Sequence, residues 1–325
     1  MKFHLDIDIP ELQPRIQHTS KIILIGSCFT EHISNFLSRG GFGIQQNSHG
    51  IIFNPMSVCQ SLYDITSCKQ YQEEDLFQLN EYWHSWFHHS DFSDLDQSVT
   101  LKKINAAILH QHEFLKETEY VIITLGSAFA YRFIEKNIIV SNNHRAPASW
   151  FEKILLDTAQ MKSSLEAVMK QMQILNPALK FIFTVSPVRH IRDGVIENNR
   201  SKARLLEVVH SLHHAYYFPA YELVIDILRD YRFYDLDMVH PNYQATAYVW
   251  EKFVHHCIDP NCLPMIQQLN QLYKAKNHRP KSTRSEAHKK FMKEQLALCL
   301  QLKASYPYLN LDEEIDMFSG RSKPK

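Results

Sequence analysis

The sequence of 325 residues predicts a three-layer α/β/α domain built around a parallel β-sheet. Three short apolar runs, KIILIG (21–26), VIITLG (121–126) and FIFTVSP (181–187), each end at small or turn-forming residues. Continuous apolar runs rich in β-branched residues are typical of strands buried on both faces of a parallel sheet. Because helical patterns separate these runs, strands alternate with helices, which favours crossover connections within one sheet.

The helices and two weaker strands follow from local patterns. Apolar residues at helical spacing predict helices in three segments, 29–40, 99–117 and 154–175. GFGIQ (41–45) and AYYFPAYE (215–222) are weaker strand candidates, and the proline of the second counts against it.

Three stretches depart from this alternation. We interpret the polar, aromatic and His-rich segment 64–98 as an insertion, and residues 137–152 as an irregular loop. DPNCLP (259–264) marks a boundary, which predicts a sheet domain at 1–258 and a helical, basic extension at 259–325.

The composition limits the classes of partner and the expected location. Lys plus Arg and Asp plus Glu both number 35, so the formal net charge is zero and we expect neither a nucleic-acid nor a membrane partner. No apolar segment has the length of a signal-peptide core or of a membrane span. The six cysteines include no CxxC pair. We interpret them as reduced thiols and expect a cytoplasmic protein.

The stretch GSCFT (26–30) carries the first candidate catalytic residues, Ser27 and Cys28. At a strand-to-helix turn, a nucleophile lies above the sheet edge and beside the first N–H groups of a helix, which stabilise a thiolate or an oxyanion. We therefore expect a lowered pKa for Cys28 if the helix begins immediately after it. The structural alternative is that Cys28 is a small buried hydrophobe and Ser27 an N-cap.

The stretch DLDMVHPN (235–242) supplies a candidate base. Asp237 and His240 are three residues apart, so one turn can present the imidazole while the carboxylate fixes its tautomer, as activation of a nucleophile requires. Because the chain has 19 histidines, the D-x-x-H pattern alone is weak, and a surface-loop histidine is the alternative.

Together the two stretches resemble SGNH, or GDSL-like, esterases and acyltransferases, in which a nucleophile follows the first strand and a D-x-x-H comes late in the chain. The chain further resembles the GSCFA family, a bacterial group placed with the SGNH hydrolases. The resembling segments, in order, are IGSCFTEHI, IIFNP, YWHSWFHHSDFS, TLGSAFAY, TVSPVRHIRDG, NNRSKA, the stretch 217–241 and the HRP of the tail. The resemblance implies an SGNH-like (flavodoxin-like) fold and a hydrolase or transferase.

Comparison of IGSCFT with the GDSLT block of those enzymes bears on the choice of nucleophile. Gly26 and Thr30 match the Gly and Thr of the block, while Ser27 replaces its Asp and Cys28 its nucleophilic Ser. In this register Cys28 is the nucleophile. A shift by one residue makes Ser27 the nucleophile but loses both matches, so we favour Cys28.

The chain differs from the SGNH enzymes at the oxyanion site. SGNH enzymes usually carry an Asn donor in a G-x-N-D block after their third conserved strand, and Ala128 stands at the corresponding place here. The candidate side-chain replacements are Ser127, Asn54, Asn142 and Asn143. For each asparagine the alternative is a turn or cap role. The expected backbone donors are the N–H groups at Cys28 and near Gly50 or Gly126.

Two further clusters give weaker signals. His84, His88 and His89 lack the H-E-x-x-H pattern of a metal site, so we favour aromatic packing and expect no metal. Arg189 and His190, which follow the third strand, can hold an anionic substrate group, although a surface salt bridge is the more ordinary role for such an arginine.

The function that these residues predict is hydrolysis or transfer of an acyl ester or thioester through a covalent acyl-enzyme. We expect a small-molecule or glycan ester, such as a sugar ester, as substrate and neither a metal nor an organic cofactor. The alternative is a catalytically silent SGNH-like module that binds a ligand, which Ala128 and Ser27 favour. A nucleic-acid-binding tail ranks last because the chain is neutral overall, and the sequence leaves the oligomeric state open.

Overall fold

The computed structural model of the chain describes residues 5–321. Within these residues the strands are β1 Lys21–Gly26, β2 Gly43–Gln46, β3 Phe77–Leu79, β4 Tyr82–His84, β5 Thr118–Leu125, β6 Phe129–Phe133, β7 Ile138–Val140, β8 Phe151–Leu155, β9 Lys180–Val185 and β10 Ala215–Tyr217. The α-helices are α1 Cys28–Arg39, α2 Pro55–Ser67, α3 Gln97–Leu115, α4 Thr158–Leu175, α5 Val195–Ser211, α6 Ala220–Glu222, α7 Tyr243–Cys257, α8 Leu263–Lys276, α9 Glu286–Ser305 and α10 Asp312–Phe318. The short α6 continues as a π-helix at Leu223–Leu228.

A five-stranded sheet in the order β10-β9-β5-β1-β2 forms the centre of the fold, and all its neighbours pair in parallel. Ile23 of β1 lies opposite Gln45 of β2 on one side and Val121 of β5 on the other. Counted among these five strands alone, the order reads 2-1-3-4-5, which is the flavodoxin-like order. The predicted α/β fold with a parallel sheet is confirmed.

The carboxyl ends of β1 and β5 meet where the order of the strands reverses. Gly26 ends β1, and Gly126 directly follows β5. In open sheets of this order, ligands bind in the crevice outside this reversal point. The fold therefore brings GSCFT and LGSAF to the edge of the sheet where a site is expected.

The central strands are buried on both faces, as their continuous apolar sequences predict. In β1, four successive side chains, Ile22 to Ile25, are completely buried. Alternate residues of β1, β5 and β9 share one apolar cluster with α2, α4 and α5. Burial of a side chain of this size stabilises a fold by about 1.5–3 kcal/mol, so the sheet and its helices form the main core.

Residues 137–152, expected to be irregular, form a second sheet instead. They contribute β7 and β8, which pair antiparallel with the two edges of β6. Trp86, Phe133 and Val140 are buried together against this sheet. Short strands with a small local core lack the long apolar run by which the central strands were predicted. The segment 64–98 contains the end of α2 and the hairpin of β3 and β4.

The predicted strand at 215–222 is shorter than expected. It pairs with β9 only over Ala215–Tyr217, and the chain becomes helical at Ala220. Pro219 lacks the N–H that a continued ladder would need and serves as the residue before the helix.

The described chain divides into two compact units. One comprises the described residues up to Ser34 together with Gly43–Ile258, and the other comprises Asn35–Phe42 and the residues from Asp259 onward. The division therefore passes through α1. The second unit is helical and has its own apolar cluster, formed by residues of α8, α9 and α10 and the segments between them. Among residues 5–321, no helix is both long enough and apolar enough to cross a membrane.

Candidate active site

Cys28 is the first residue of α1, and Ser27 forms the turn between β1 and this helix. The turn needs glycine at Gly26, because this residue has a φ of 140° and a Cβ there would lie 2.2 Å from the carbonyl oxygen of Thr124. The N–H of Ser27 donates to the same carbonyl at 3.1 Å. The Ser27 hydroxyl is buried and has no hydrogen-bond partner among the described residues, so it does not cap the helix through its side chain. Cys28 is partly exposed.

The pKa of the Cys28 thiol is raised, so the expectation of a lowered pKa was wrong. Burial is the main cause, and the nearby Glu31 carboxylate adds to it. The N–H groups of Phe29 and of Cys28 itself, together with Lys202, act in the opposite direction but do not prevail. At neutral pH the group is therefore a thiol, and its use as a nucleophile requires a base.

Asp237 and His240 form a hydrogen-bonded pair within one turn. Asp237 Oδ2 lies 2.7 Å from His240 Nδ1, and Asp237 Oδ1 accepts the N–H groups of Val239 at 2.9 Å and His240 at 3.0 Å. These hydrogen bonds, that of the imidazole above all, lower the pKa of Asp237 to about 2. When the imidazole is neutral, the ionised carboxylate holds its proton on Nδ1, which leaves Nε2 as the basic nitrogen.

The turn of His240 is connected to the residues that follow β9. The N–H of Arg189 donates to the carbonyl of Val239 at 3.2 Å. Burial is the largest cause of the lowered pKa of His32 and of His190, and His240 is a smaller cause for each. His32 lies one turn after Cys28 on α1. The main-chain hydrogen bond of Arg189 therefore joins the turn of His240 to the loop after β9.

His190 points its ring toward the start of α1. Its Nε2 lies 3.4 Å from the position that a Cβ on Gly126 would take, and the Ser27 Cβ lies 3.2 Å from the same position. The ring centroid is 5.4 Å from that of Phe53. Burial, with a smaller contribution from Lys202, lowers the pKa of His190 to about 4, so the imidazole is neutral at pH 7. No described residue makes a hydrogen bond with its buried Nε2.

Lys202 of α5 is a buried cation below the same edge of the sheet. Its Nζ donates to the carbonyls of Gly126 and Ser186, both at 2.6 Å, and so joins the ends of β5 and β9. Burial lowers its pKa to about 7. Sequence reasoning missed this residue. The available signal was its place on the buried face of α5, four residues after Asn198 and three before Leu205.

Two protein-family models match parts of this chain. A family model described as the GSCFA family matches residues 21–253. The chain belongs to the GSCFA family. A second model, described as the GSCFA domain protein, C-terminal domain, matches residues 269–323. The resemblance that the sequence indicated is confirmed.

Two solved structures are similar to this GSCFA protein at low identity. A carbohydrate esterase family 3 structure from Talaromyces cellulolyticus has a TM-score of 0.35 and 9% identity, covering 77% of this chain and 99% of that one. A family 3 carbohydrate esterase from Clostridium thermocellum has a TM-score of 0.31 and 10% identity, covering 77% and 98%. No curated protein matches.

The predicted oxyanion side chains of this GSCFA protein are engaged in local structure. Asn54 caps α2, since its Oδ1 accepts the N–H of Ser57 at 2.9 Å and its Nδ2 donates to the Ser57 hydroxyl at 2.8 Å. Ser127 Oγ accepts the N–H of Phe129 at 3.0 Å. Asn143 Oδ1 accepts the N–H of Arg145 at 3.3 Å. Similarly, Asn142 Oδ1 accepts the N–H of His144 at 2.9 Å, so both asparagines stabilise the turn after β7.

The two glycines named as backbone donors are also engaged. The N–H of Gly126 donates to the carbonyl of Phe53 at 2.8 Å, and that of Gly50 to the carbonyl of Asn47 at 2.8 Å. Asn47, which the sequence analysis missed, follows β2 and accepts the N–H of Gly26 through its Oδ1 at 3.0 Å. Its buried Nδ2 has no hydrogen-bond partner within residues 5–321. At the start of α1, the N–H groups of Cys28 and Phe29 point to the thiol.

Arg189 belongs to a pocket beside the turn of His240. The guanidinium lies over the rings of Tyr231 and Tyr234, at 5.1 and 4.1 Å from their centroids. The pocket has a volume of about 290 Å³, and its lining includes Arg189, Ile191, Val195, Tyr221, Tyr231 and Met238. Its walls are mainly apolar and aromatic, with one positive charge held by stacking.

The histidines of the YWHSWFHHS cluster are packed side chains. His84 Nδ1 lies 2.7 Å from Ser93 Oγ, and the ring of His88 stacks on that of His49 with centroids 4.1 Å apart. His89 forms an ion pair with Asp91 at 3.0 Å when protonated. In the part of the chain that the structure describes, no three His, Cys, Asp or Glu side chains come together as a metal site requires.

Proposed function

We propose that the protein hydrolyses or transfers an acyl ester through a thioester intermediate on Cys28. The observation that carries this proposal is the contact of 2.7 Å between Asp237 and His240 Nδ1, in a turn bonded to the loop after β9. A carboxylate that fixes the tautomer of a partly exposed imidazole is the arrangement that activates a nucleophile.

The proposed reaction moves one proton through His240. Nε2 takes the thiol proton of Cys28 while the sulfur attacks the ester carbonyl, and the negative charge on Asp237 stabilises the imidazolium. The bond between the carbonyl carbon and the alcohol oxygen then breaks, and that oxygen takes the proton from Nε2. In the second half, water or an acceptor alcohol gives a proton to Nε2 as it attacks the thioester, and the sulfur of Cys28 leaves and recovers that proton.

The thiol, rather than the neighbouring hydroxyl, suits the role of nucleophile. Ser27 is only 2% exposed, whereas Cys28 is partly exposed at the first position of α1. The raised pKa of Cys28 means that free thiolate is scarce at neutral pH, so the reaction depends on proton transfer to His240.

We propose that the substrate is a small-molecule or glycan ester whose non-reacting part occupies the pocket that Arg189 and Tyr231 line. Met238 lies on the turn between Asp237 and His240 and is also part of the pocket wall. An apolar or ring-shaped group fits walls of tyrosine and aliphatic side chains, because aromatic faces offer large contact areas.

Intact-protein mass spectrometry after brief exposure to p-nitrophenyl acetate tests the proposal. The wild type is compared with Cys28→Ala, Ser27→Ala and His240→Ala after an acid quench. We expect a gain of one acetyl group that is lost in Cys28→Ala and forms more slowly in His240→Ala. An acetyl group lost only in Ser27→Ala would identify the other nucleophile, and its absence from folded wild type would overturn the proposal.

A silent module that binds an acylated or glycan ligand is the second candidate. Ala128 at the place of the usual Asn donor, together with the engaged N–H groups of Gly50 and Gly126, favours it. In this case Cys28 would react with iodoacetamide at the rate of an ordinary thiol, and His240→Ala would leave that rate unchanged.

A further inference from the structure

Acyl transfer at Cys28 needs a donor for the negative charge that develops on the carbonyl oxygen. The N–H groups at the start of α1 supply part of this stabilisation. Loss of one further donor costs about 10²–10³-fold in rate. Ala128 offers no side-chain hydrogen bond, so another group must take the place of the usual asparagine for the reaction to be efficient.

His190 has unused donor capacity that Asn54 and Ser127, two of the candidates expected from the sequence, lack. Its Nε2 is buried and has no partner among the described residues, whereas Asn54 and Ser127 already bond their own turns. A buried ring nitrogen without a partner destabilises a fold, so such a group is informative when it lies beside a candidate site.

Gly126 lies between this nitrogen and the start of α1. A Cβ on Gly126 would lie 2.7 Å from the Phe53 Cβ, 3.2 Å from the Ser27 Cβ and 3.4 Å from His190 Nε2. The contact with Phe53 is too short for a side chain at Gly126, and without one His190 Nε2 faces the residue next to Cys28.

We infer that His190 is the missing oxyanion donor, and that its Nε2–H binds the carbonyl oxygen of the substrate beside Gly126, at the start of α1. The inference rests on the proposed acyl transfer and adds a catalytic residue to it. The substrate class is unchanged, since any ester presents the same oxygen.

The surroundings of His190 suit a donor that does not release its proton. With a pKa of about 4, the ring is neutral at pH 7 and has one N–H to offer. The main-chain N–H of His190 donates to Asn198 Oδ1 at 2.8 Å, which fixes the start of the loop. Burial, and to a smaller extent the nearby Lys202, disfavours protonation of the ring.

Two reactions of Cys28 separate an oxyanion donor from a structural residue. Acetylation by p-nitrophenyl acetate passes through an oxyanion. Alkylation by iodoacetamide displaces iodide from carbon and forms no oxyanion. For His190→Leu we expect acetylation to be slower by about 10²–10³-fold and alkylation to keep the wild-type rate. His190→Gln places an amide N–H near the position of Nε2 and should recover part of the lost rate.

Two control variants separate a catalytic role of His190 from a structural one. His240→Ala should slow acetylation through loss of the base, and His32→Leu, one turn from Cys28, should leave both rates unchanged. If the wild type is acetylated and His190→Leu is acetylated equally fast, the inference is overturned while the proposed function stands. If His190→Leu slows both reactions equally, or His190→Gln recovers nothing, its role is structural. If the wild type is not acetylated at all, both the function and the inference are overturned.

Discussion

The first unit holds two histidine–aspartate pairs of similar geometry in opposite surroundings. His240 Nδ1 lies 2.7 Å from Asp237 Oδ2, and the two side chains are 43% and 49% exposed. His49 Nε2 lies 3.0 Å from Asp64 Oδ2, and the two side chains are 1% and 3% exposed. The pairs also use opposite ring nitrogens, so the nitrogen left for other partners is Nε2 in the first and Nδ1 in the second.

The buried pair shows that composition alone does not define a catalytic site. His49 Nδ1 lies 2.8 Å from the Ser61 hydroxyl and 3.0 Å from that of Ser48, so serine, histidine and aspartate are in direct contact. Asp64 also accepts the Tyr71 hydroxyl at 2.7 Å. No substrate can reach side chains that are this deeply buried. The network instead fixes the loop after β2, whereas the exposed pair is free to move a proton.

The largest effect is expected from a change in the exposed pair of Asp237 and His240, and only activity should be affected. His240→Ala should slow acetylation of Cys28 by about 10²–10⁴-fold, because this is the usual contribution of a general base. The free energy of unfolding should change by less than about 0.5 kcal/mol, since the side chain is half exposed. Stopped-flow acetylation and urea unfolding measure the two quantities. A large loss of stability with unchanged acetylation would reverse the roles of the two pairs.

The buried pair should show the opposite pattern. Among residues 5–321, His49→Leu leaves the buried Asp64 carboxylate only Tyr71 and Gln60 as hydrogen-bond partners, and should lower the free energy of unfolding by about 3–5 kcal/mol. Urea unfolding followed by tryptophan fluorescence reports on this unit, because Trp83, Trp86, Trp150 and Trp250 all lie in it.

A double variant serves as the control for that experiment. His49→Leu combined with Asp64→Leu removes both polar partners and should cost less than the sum of the single changes, because no carboxylate remains buried. Strict additivity of the two changes would show that the pair does not act as one network.

The buried pair also predicts how stability depends on pH. Burial lowers the pKa of His49 from 6.5, and the bond to His49 lowers that of Asp64 despite its burial. Both pKa values are lower in the folded state, so the unfolded chain binds more protons as pH falls. Stability contributed by His49 should be full above pH 6.5 and decline below it, by at most about 1.4 kcal/mol per pH unit.

Urea unfolding at pH 7.5 and pH 5.5 checks this dependence. His240→Ala should show the same decline as the wild type, whereas His49→Gln should show a smaller one. Because His88, His144 and His190 also have pKa values lowered by burial, some decline should remain in His49→Gln. A decline identical in wild type and His49→Gln would exclude His49 as a contributor.

The sequence predicts most of the central sheet because a strand that is buried on both faces has a continuous apolar sequence. KIILIG, VIITLG and FIFTVSP are continuous apolar runs, and they became β1, β5 and β9. The sheet of β6, β7 and β8 was missed because its short strands depend on a local cluster around Trp86 and Phe133. Such a cluster joins distant segments and leaves no periodic pattern in any one of them.

The residues of the candidate site could likewise be predicted only in part. Cys28, Asp237 and His240 occur in short motifs, so sequence reasoning could name them. Lys202 was missed because its role depends on a bond to the carbonyl of Gly126, 76 residues earlier in the chain. The raised pKa of Cys28 was likewise missed, because burial and Glu31 outweigh the start of the helix. These effects arise only when the chain is folded.

Lys202 is buried like His49, but it acts on the partly exposed Cys28. Its cation and the exposed Glu31 carboxylate act on the pKa of Cys28 in opposite directions. Lys202→Met should raise that pKa, Glu31→Gln should lower it, and Lys202→Arg, which keeps the charge, should change it least. The pH dependence of iodoacetamide alkylation of Cys28 measures all three. Profiles of Lys202→Met and Glu31→Gln that move in the same direction would contradict an electrostatic role, and would leave Lys202 only its bonds to Gly126 and Ser186, which join the strands under the site.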